Sequence, residues 1–333
     1  MRVVVCVAFA LLLVRVESAQ GICPTNAVFL ALEDQVRGYP LRANGPTAPC
    51  QILQGPNTTL GTARSIAFSI HRYFHIAQFL TNSTFDVFPP NATGNLGPSR
   101  SVQLPENDLV SIAVDSRLND FVMSIRQPNT PIFVAPNGSS GFLGSPVVIS
   151  DANLAQYVSL AVDEDDNLLV AGYDSQGAAR VDTLGTSQSI TSPPILRSIA
   201  GKNTGLLGGA AFHANNLTIA LDPETNELYV YNTTADQTKI QISVFAPKAV
   251  GNIKPVRVIS GPLTEIGGPG FPGANKIGVS SDGRLFVAEA NNRILVFAPG
   301  AKGDVPPSQV IQDSTITGLI DQGGIGVRSC NCK

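Results

Sequence analysis

Three histidines, His71, His75 and His213, are the whole imidazole supply of this 333-residue chain, so a histidine-bound metal or a histidine general base must be built from them. His71 falls in the turn before an apolar strand and His75 within that strand. Extended backbone puts their Cα atoms about 13 Å apart, too far to share one ion without a sharp bend. The acids Asp115, Asp163 and Asp222 recur at corresponding places and could form a ring of carboxylates. Each also ends a strand and begins a turn, as in Asp222-Pro223-Glu224-Thr225-Asn226, where an Asx side chain bonds the following amides; that turn role is the expectation. Gly268-Pro269-Gly270-Phe271-Pro272-Gly273 satisfies Gly-x-Gly-x-x-Gly. A dinucleotide fingerprint follows a strand and opens a helix, whereas this segment carries two prolines and precedes a strand, so it is expected to be a loop. With no Gly-x-Ser-x-Gly elbow and no Cys-x-x-Cys pair, the sequence assigns no catalytic, cofactor-binding or metal-binding residue.

The remaining reactive groups speak of compartment. Arg2 precedes an apolar run over residues 3–14 and then small residues suited to signal peptidase, so residues 1–21 are expected to be a secretory signal. The run is shorter than the roughly 20 residues a membrane-spanning helix needs. Cleavage removes Cys6 and leaves Cys23, Cys50, Cys330 and Cys332, an even count that in an exported chain implies disulfides. Asn57, Asn82, Asn91, Asn137, Asn216 and Asn232 begin Asn-x-Ser/Thr acceptor sites for N-glycosylation. A formal charge of -3 gives no case for nucleic acid, which needs a clustered cationic surface.

The elements that position these groups come from a repeat. One short apolar strand recurs at Ile66-Ala67, Ile112-Ala113, Leu160-Ala161, Ile219-Ala220, Ile277-Gly278 and Ile325-Gly326, with separations of 46, 48, 59, 58 and 48 residues. The first five copies are followed by a second strand, such as Leu228-Tyr229-Val230. A third, such as Ile294-Leu295-Val296-Phe297, and a fourth, such as Val310-Ile311, come after it. Four strands at this period make one propeller blade. The sixth copy is truncated and its missing strands lie at the other end: Asn26 to Ala31 matches Gly283 to Ala288, and Pro49 to Leu53 matches Pro307 to Ile311. The expected fold is all-β, a single six-bladed propeller over residues 22–333 whose last blade is shared by both ends of the chain. The Ala or Gly after each leading Ile or Leu fits an inner strand crowded against the axis.

The segments Val244-Phe245-Ala246-Pro247-Lys248-Ala249-Val250-Gly251-Asn252 and Val296-Phe297-Ala298-Pro299-Gly300-Ala301-Lys302-Gly303-Asp304 resemble the NHL-repeat type of six-bladed β-propeller. Only the fourth and fifth repeats are close matches, and the third is degenerate around Arg180-Val181-Asp182. Propellers of this kind include binding scaffolds and a few lyases and lactonases, so the resemblance implies the fold and leaves the activity open. The amidating lyases among them use a histidine-bound zinc, which the spacing of His71 and His75 fits poorly.

Placed on blades, Cys23 precedes the second strand of the shared blade, Cys50 begins its fourth, and Cys330 and Cys332 follow its first. Because the first two strands are adjacent, about 4.8 Å apart, the expected bonds are Cys23 to Cys330 and Cys50 to Cys332, stapling the ring shut. The leading functional expectation is a secreted, non-enzymatic glycoprotein that binds an extracellular protein or glycan, or serves a structural role. The alternatives are a metal-dependent lactonase- or lyase-like enzyme, and a subunit that self-associates through the sector after Asn232 that carries no acceptor site.

Overall fold

The structure, a computed structural model, describes residues 21–79, 84–106, 108–124, 131–208, 217–234, 236, 238–267, 277–289, 292–315 and 324–329. Six antiparallel sheets of four strands, two of them extended by a short fifth, form a six-bladed β-propeller. Blade three is typical: Gln156–Val162, Leu168–Tyr173, Ala179–Leu184 and Ile195–Ile199 run from the axis outward in chain order. The first three strands are almost wholly buried because both faces of each sheet pack against neighbouring blades, which is why they are near-continuous apolar runs. Among the described residues no helix is long and apolar enough to cross a membrane.

The shared blade is built as the repeat predicts. Gly324–Arg328 supplies its inner strand and pairs antiparallel with Ala27–Leu32, with Val28 opposite Val327 and Leu30 opposite Ile325. Gln35–Pro40 and Gln51–Gln54 complete the sheet. Closing the ring between chain ends leaves no open edge between first and last blades.

The outer edges carry a device the repeat comparison does not anticipate. In five of the six blades the loop before the fourth strand runs along the preceding blade and pairs with its outer strand in parallel: Gly94 with Leu53, Gly251 with Ile199, Gly303 with Ile259, Gly141 with Val102 and Gly45 with Ile311. Each of these glycines has positive φ, between 63° and 83°, which the chain needs to turn back. The residue after three of them then caps a 3-10 turn of the preceding blade. Asn95, Asn252 and Asp304 accept from the amides of Asn57, Asn203 and Leu263 at 2.7 Å each. The Gly-Asn and Gly-Asp pairs of the repeat are therefore clasps between blades.

The disulfide expectation is corrected. Cys23 is bonded to Cys50, with Cα atoms 5.0 Å apart, while Cys330 and Cys332 lie outside the described residues. The reason is Gly38, on the strand between the two cysteines. A Cβ there would stand 2.7 Å from Cys23 Sγ, so the missing side chain is the space the bond occupies. The Cys50 amide donates to the Gly38 carbonyl at 2.9 Å, holding the other half in place. The segment ahead of Ala27 thus swings outward beneath the sheet rather than inward to the first strand.

Candidate functional site

The inner strands surround an axial channel of about 280 Å³. Its wall repeats in rows. Ser65, Ser111, Ser159 and Thr218 supply hydroxyls at one level, the Ile and Leu residues follow, then the Ala and Gly row, then Phe68, Val114, Val162, Leu221, Val279 and Val327. Three of the hydroxyls serve the framework: Ser65, Ser111 and Ser159 accept from the amides of Ile112, Leu160 and Ile219 of the next blade at 3.1 to 3.3 Å. The crowding inferred for the small row is real at its glycines. A Cβ on Gly278 would stand 2.7 Å from Val327 Cγ2, and one on Gly326 2.8 Å from Phe68 Cε2.

At the rim formed by the turns after the first strands, the channel opens into a cup of about 590 Å³. Phe68, Leu221, Val279 and Val327 are common to channel and cup. Around them the cup adds Ile70 and Arg72 from blade one and Glu164 from blade three. Ile70 is 61% exposed. The arrangement is a concave surface with an apolar floor and a mostly polar wall, where Ser69, Ser329 and Arg328 stand beside Arg72 and Glu164.

The turn aspartates do what their positions predict. Asp115 Oδ1 accepts from the Asn119 amide at 2.8 Å, Asp163 Oδ1 from Asn167 at 2.8 Å, and Asp222 Oδ1 from Glu224 at 2.8 Å. Their carboxylates are spent on their own turns and on the flanking cations Arg117 and Arg197, rather than converging on the axis.

His75 occupies the register position of Leu169, Tyr229 and Phe286 and packs between blades, as its alignment implies. It is 3% exposed, with Nδ1 2.5 Å from Asp120 Oδ1, and Arg100 Nη2 is 2.6 Å from Asp120 Oδ2. A histidine oriented by a carboxylate is half of a general-base system, but this one is enclosed at the junction of blades one and two. His71 stands exposed in its turn, and the structure does not bring it to His75's partners. His213 and the segment 268–273 lie outside the described residues. Among the described residues no three His, Cys, Asp or Glu side chains are grouped to hold a metal.

Asn57, Asn91 and Asn137 are exposed, while Asn82 and Asn216 lie outside the described residues. Asn232 differs from these three. Its side chain is fully buried, its Oδ1 accepts from the Leu207 amide at 2.9 Å and its Nδ2 donates to the Val230 carbonyl at 3.1 Å. It ends a second strand at the place of Gln78 and Glu289, which accept in the same way from Gly61 and Gly267 at 2.8 and 2.9 Å. The position belongs to the blade's entry loop, and a glycan on that Nδ2 has no room in the folded chain. The sequence signal that finds this role is the polar residue near the end of the second strand in blades one, four and five: Gln78, Asn232 and Glu289.

A buried cation was also missed. Arg328 is 3% exposed; its Nε, Nη1 and Nη2 donate to the carbonyls of Thr25, Pro90 and Pro24 at 3.2, 2.6 and 3.1 Å. Burial, with Arg72 nearby, lowers its pKa to about 10. No family model matches this chain, and no curated protein matches it.

Proposed function

We propose that this chain is a secreted, glycosylated propeller of the NHL-repeat type that acts as an extracellular binding module without catalysis, using the cup at the channel mouth. The observation that carries this is the cup itself: about 590 Å³, apolar at its floor where it meets the channel, and charged at its rim by Arg72 and Glu164. The channel wall is Ile, Leu, Val, Phe, Ala and Gly apart from one level of hydroxyls, three of which accept from the next blade's amides, so it offers desolvation and shape with no paired acid and base. The partner that fits is an extracellular protein segment offering an apolar side chain to the cup, flanked by charges complementary to Arg72 and Glu164; a glycan lacks that apolar anchor. Exported address is supported by the signal-like residues 1–21, by the Cys23–Cys50 bond and by exposed acceptor sites at Asn57, Asn91 and Asn137.

The test is a binding screen of the glycosylated protein against extracellular protein domains and a glycan array, repeated with Arg72→Glu and Glu164→Lys. The expected result is a protein ligand whose affinity falls at least about tenfold in both variants while their melting temperatures hold. A ligand indifferent to both variants, or turnover of lactones or amidated-peptide precursors that tracks a bound metal, contradicts the proposal.

A further inference from the structure

Asp151 and Asp313 occupy the same place in two blades. Each stands two residues beyond the isoleucine of an outer strand, in Ile149-Ser150-Asp151 and Ile311-Gln312-Asp313, where the chain leaves for the next blade. Each uses Oδ1 to accept the amide two residues on, from Asn153 at 2.8 Å and Thr315 at 2.9 Å. They differ in what the third strand of the next blade presents to them. In blade six it is Arg37, whose Nη1 lies 2.9 Å from Asp313 Oδ2, joined by the Tyr39 hydroxyl at 2.8 Å. Burial pushes the Asp313 carboxyl up, but hydrogen bonds from Thr315, Tyr39 and Arg37 outweigh it and hold it below the ordinary range.

The register equivalent of Arg37 in blade three is Asp182, a like charge. Asp151 is 3% exposed and Asp182 0%. Asn153 bridges them, its amide on Asp151 and its Nδ2 on Asp182 Oδ2 at 3.0 Å, while Arg180 Nη2 takes Asp182 Oδ1 at 3.0 Å. Asp151 Oδ2 is left buried without a hydrogen-bond partner, although the Asp182 carboxyl is within bonding reach. A proton on that oxygen supplies the missing bond and removes one of two desolvated charges at once. The same junction lacks the outer clasp: among the described residues nothing in the loop 185–194 pairs with Ile149, whereas the other five outer strands are each paired in parallel.

We propose that the Asp151–Asp182 pair is a pH-sensitive latch on the junction of blades two and three: protonated Asp151 donates to Asp182 and holds the junction closed, and loss of that proton to solvent sets two buried negative charges against each other and loosens it. The ionisable groups facing Asp151 are Asp182 and Arg180 from the third strand and Tyr157 from the first strand of blade three. The Tyr157 hydroxyl donates to the Asp151 carbonyl at 3.2 Å and is bonded by its amide, so it fixes the backbone rather than the carboxyl. Burial is the largest influence on Asp151, the Asn153 amide opposes it and Asp182 adds to it, pushing the carboxyl up to about 6. An unfolded aspartate titrates near about 3.9. The folded value is the higher one, so the latch is fully engaged below about pH 4 and is lost as pH rises through about 6.

Hydrogen exchange of the full chain, corrected for intrinsic rates, tests this by comparing residues 147–160 with residues 309–315 at about pH 5 and about pH 7. The expected result is about tenfold more opening at the first segment on raising the pH, with no such change at the second, and loss of the difference in Asp151→Asn. A flat wild-type ratio, or a pH response surviving in Asp151→Asn, overturns the latch. Infrared spectroscopy of the wild type covers a variant that fails to fold: the carbonyl stretch of a buried carboxylic acid should disappear across the same interval, and its absence at the lower pH also overturns the proposal.

Discussion

The guanidinium carbon of Arg328 stands 4.6 Å from the centroid of the Phe29 ring, joining the last strand of the chain to one of the first. With its three hydrogen bonds to Pro24, Thr25 and Pro90, this side chain fastens the N-terminal segment, the C-terminal strand and blade one together. Ring closure among the described residues thus combines the pairing of Gly324–Arg328 with Ala27–Leu32 and a buried cation holding carbonyl oxygens, while the Cys23–Cys50 bond braces the outer part of the same blade.

Arg328→Ala should cost about 2 to 4 kcal/mol, since it removes three charge-assisted bonds and strands buried carbonyls. Arg328→Lys should recover less than half, because a single ammonium cannot bridge three acceptors from a fixed plane. Urea unfolding of the secreted protein measures both. A loss under about 1 kcal/mol for alanine would place closure elsewhere.

Peptide mapping of the non-reduced protein should yield a Cys23–Cys50 peptide. Replacing both cysteines by serine should lower stability by roughly 3 to 4 kcal/mol, the loop-entropy value for a separation of 27 residues. Gly38→Ala should slow formation of the bond, because its Cβ would meet Cys23 Sγ at 2.7 Å and Phe29 Cε1 at 2.5 Å. A bond from Cys23 or Cys50 to Cys330 or Cys332 would contradict this arrangement.

Asp304→Ala should cost about 0.5 to 2 kcal/mol through loss of the cap on Leu263, and Asp304→Asn should be nearly neutral because Asn95 and Asn252 do the same work in their blades. Thermal unfolding at fixed pH distinguishes them. Equal losses in both variants would mean that the carboxylate charge, not the cap, is what matters.

Intact glycopeptide analysis should find glycan on Asn57, Asn91 and Asn137 and none on Asn232, whose amide is enclosed at the end of its strand. Glycan on Asn232 of folded, secreted protein would contradict the fold of blade four.

What the sequence discloses and what it conceals divide along a physical line. Inner strands recur because every blade meets the same axis, so Ile277-Gly278 and Ile325-Gly326 betray both the repeat and the shared blade. The Asx turns after Asp115, Asp163 and Asp222 are local and were legible for that reason. Partners across blade junctions are not: Asp120 and Arg100 lie 45 and 25 residues from His75, and nothing in their spacing says which face they share. The swing of residues 23–26 depends on one absent side chain at Gly38. The enclosure of Asn232 is visible only once Gln78 and Glu289 are seen to hold the same place.

The central claim is that recognition occurs at the channel mouth. Hydrogen-exchange footprinting of the glycosylated protein with and without the protein ligand found in the screen tests it most directly. Protection confined to the turns that carry Ile70, Arg72 and Glu164 is the predicted result. Protection on the opposite rim or along the outer strands, with these turns unchanged, would contradict it.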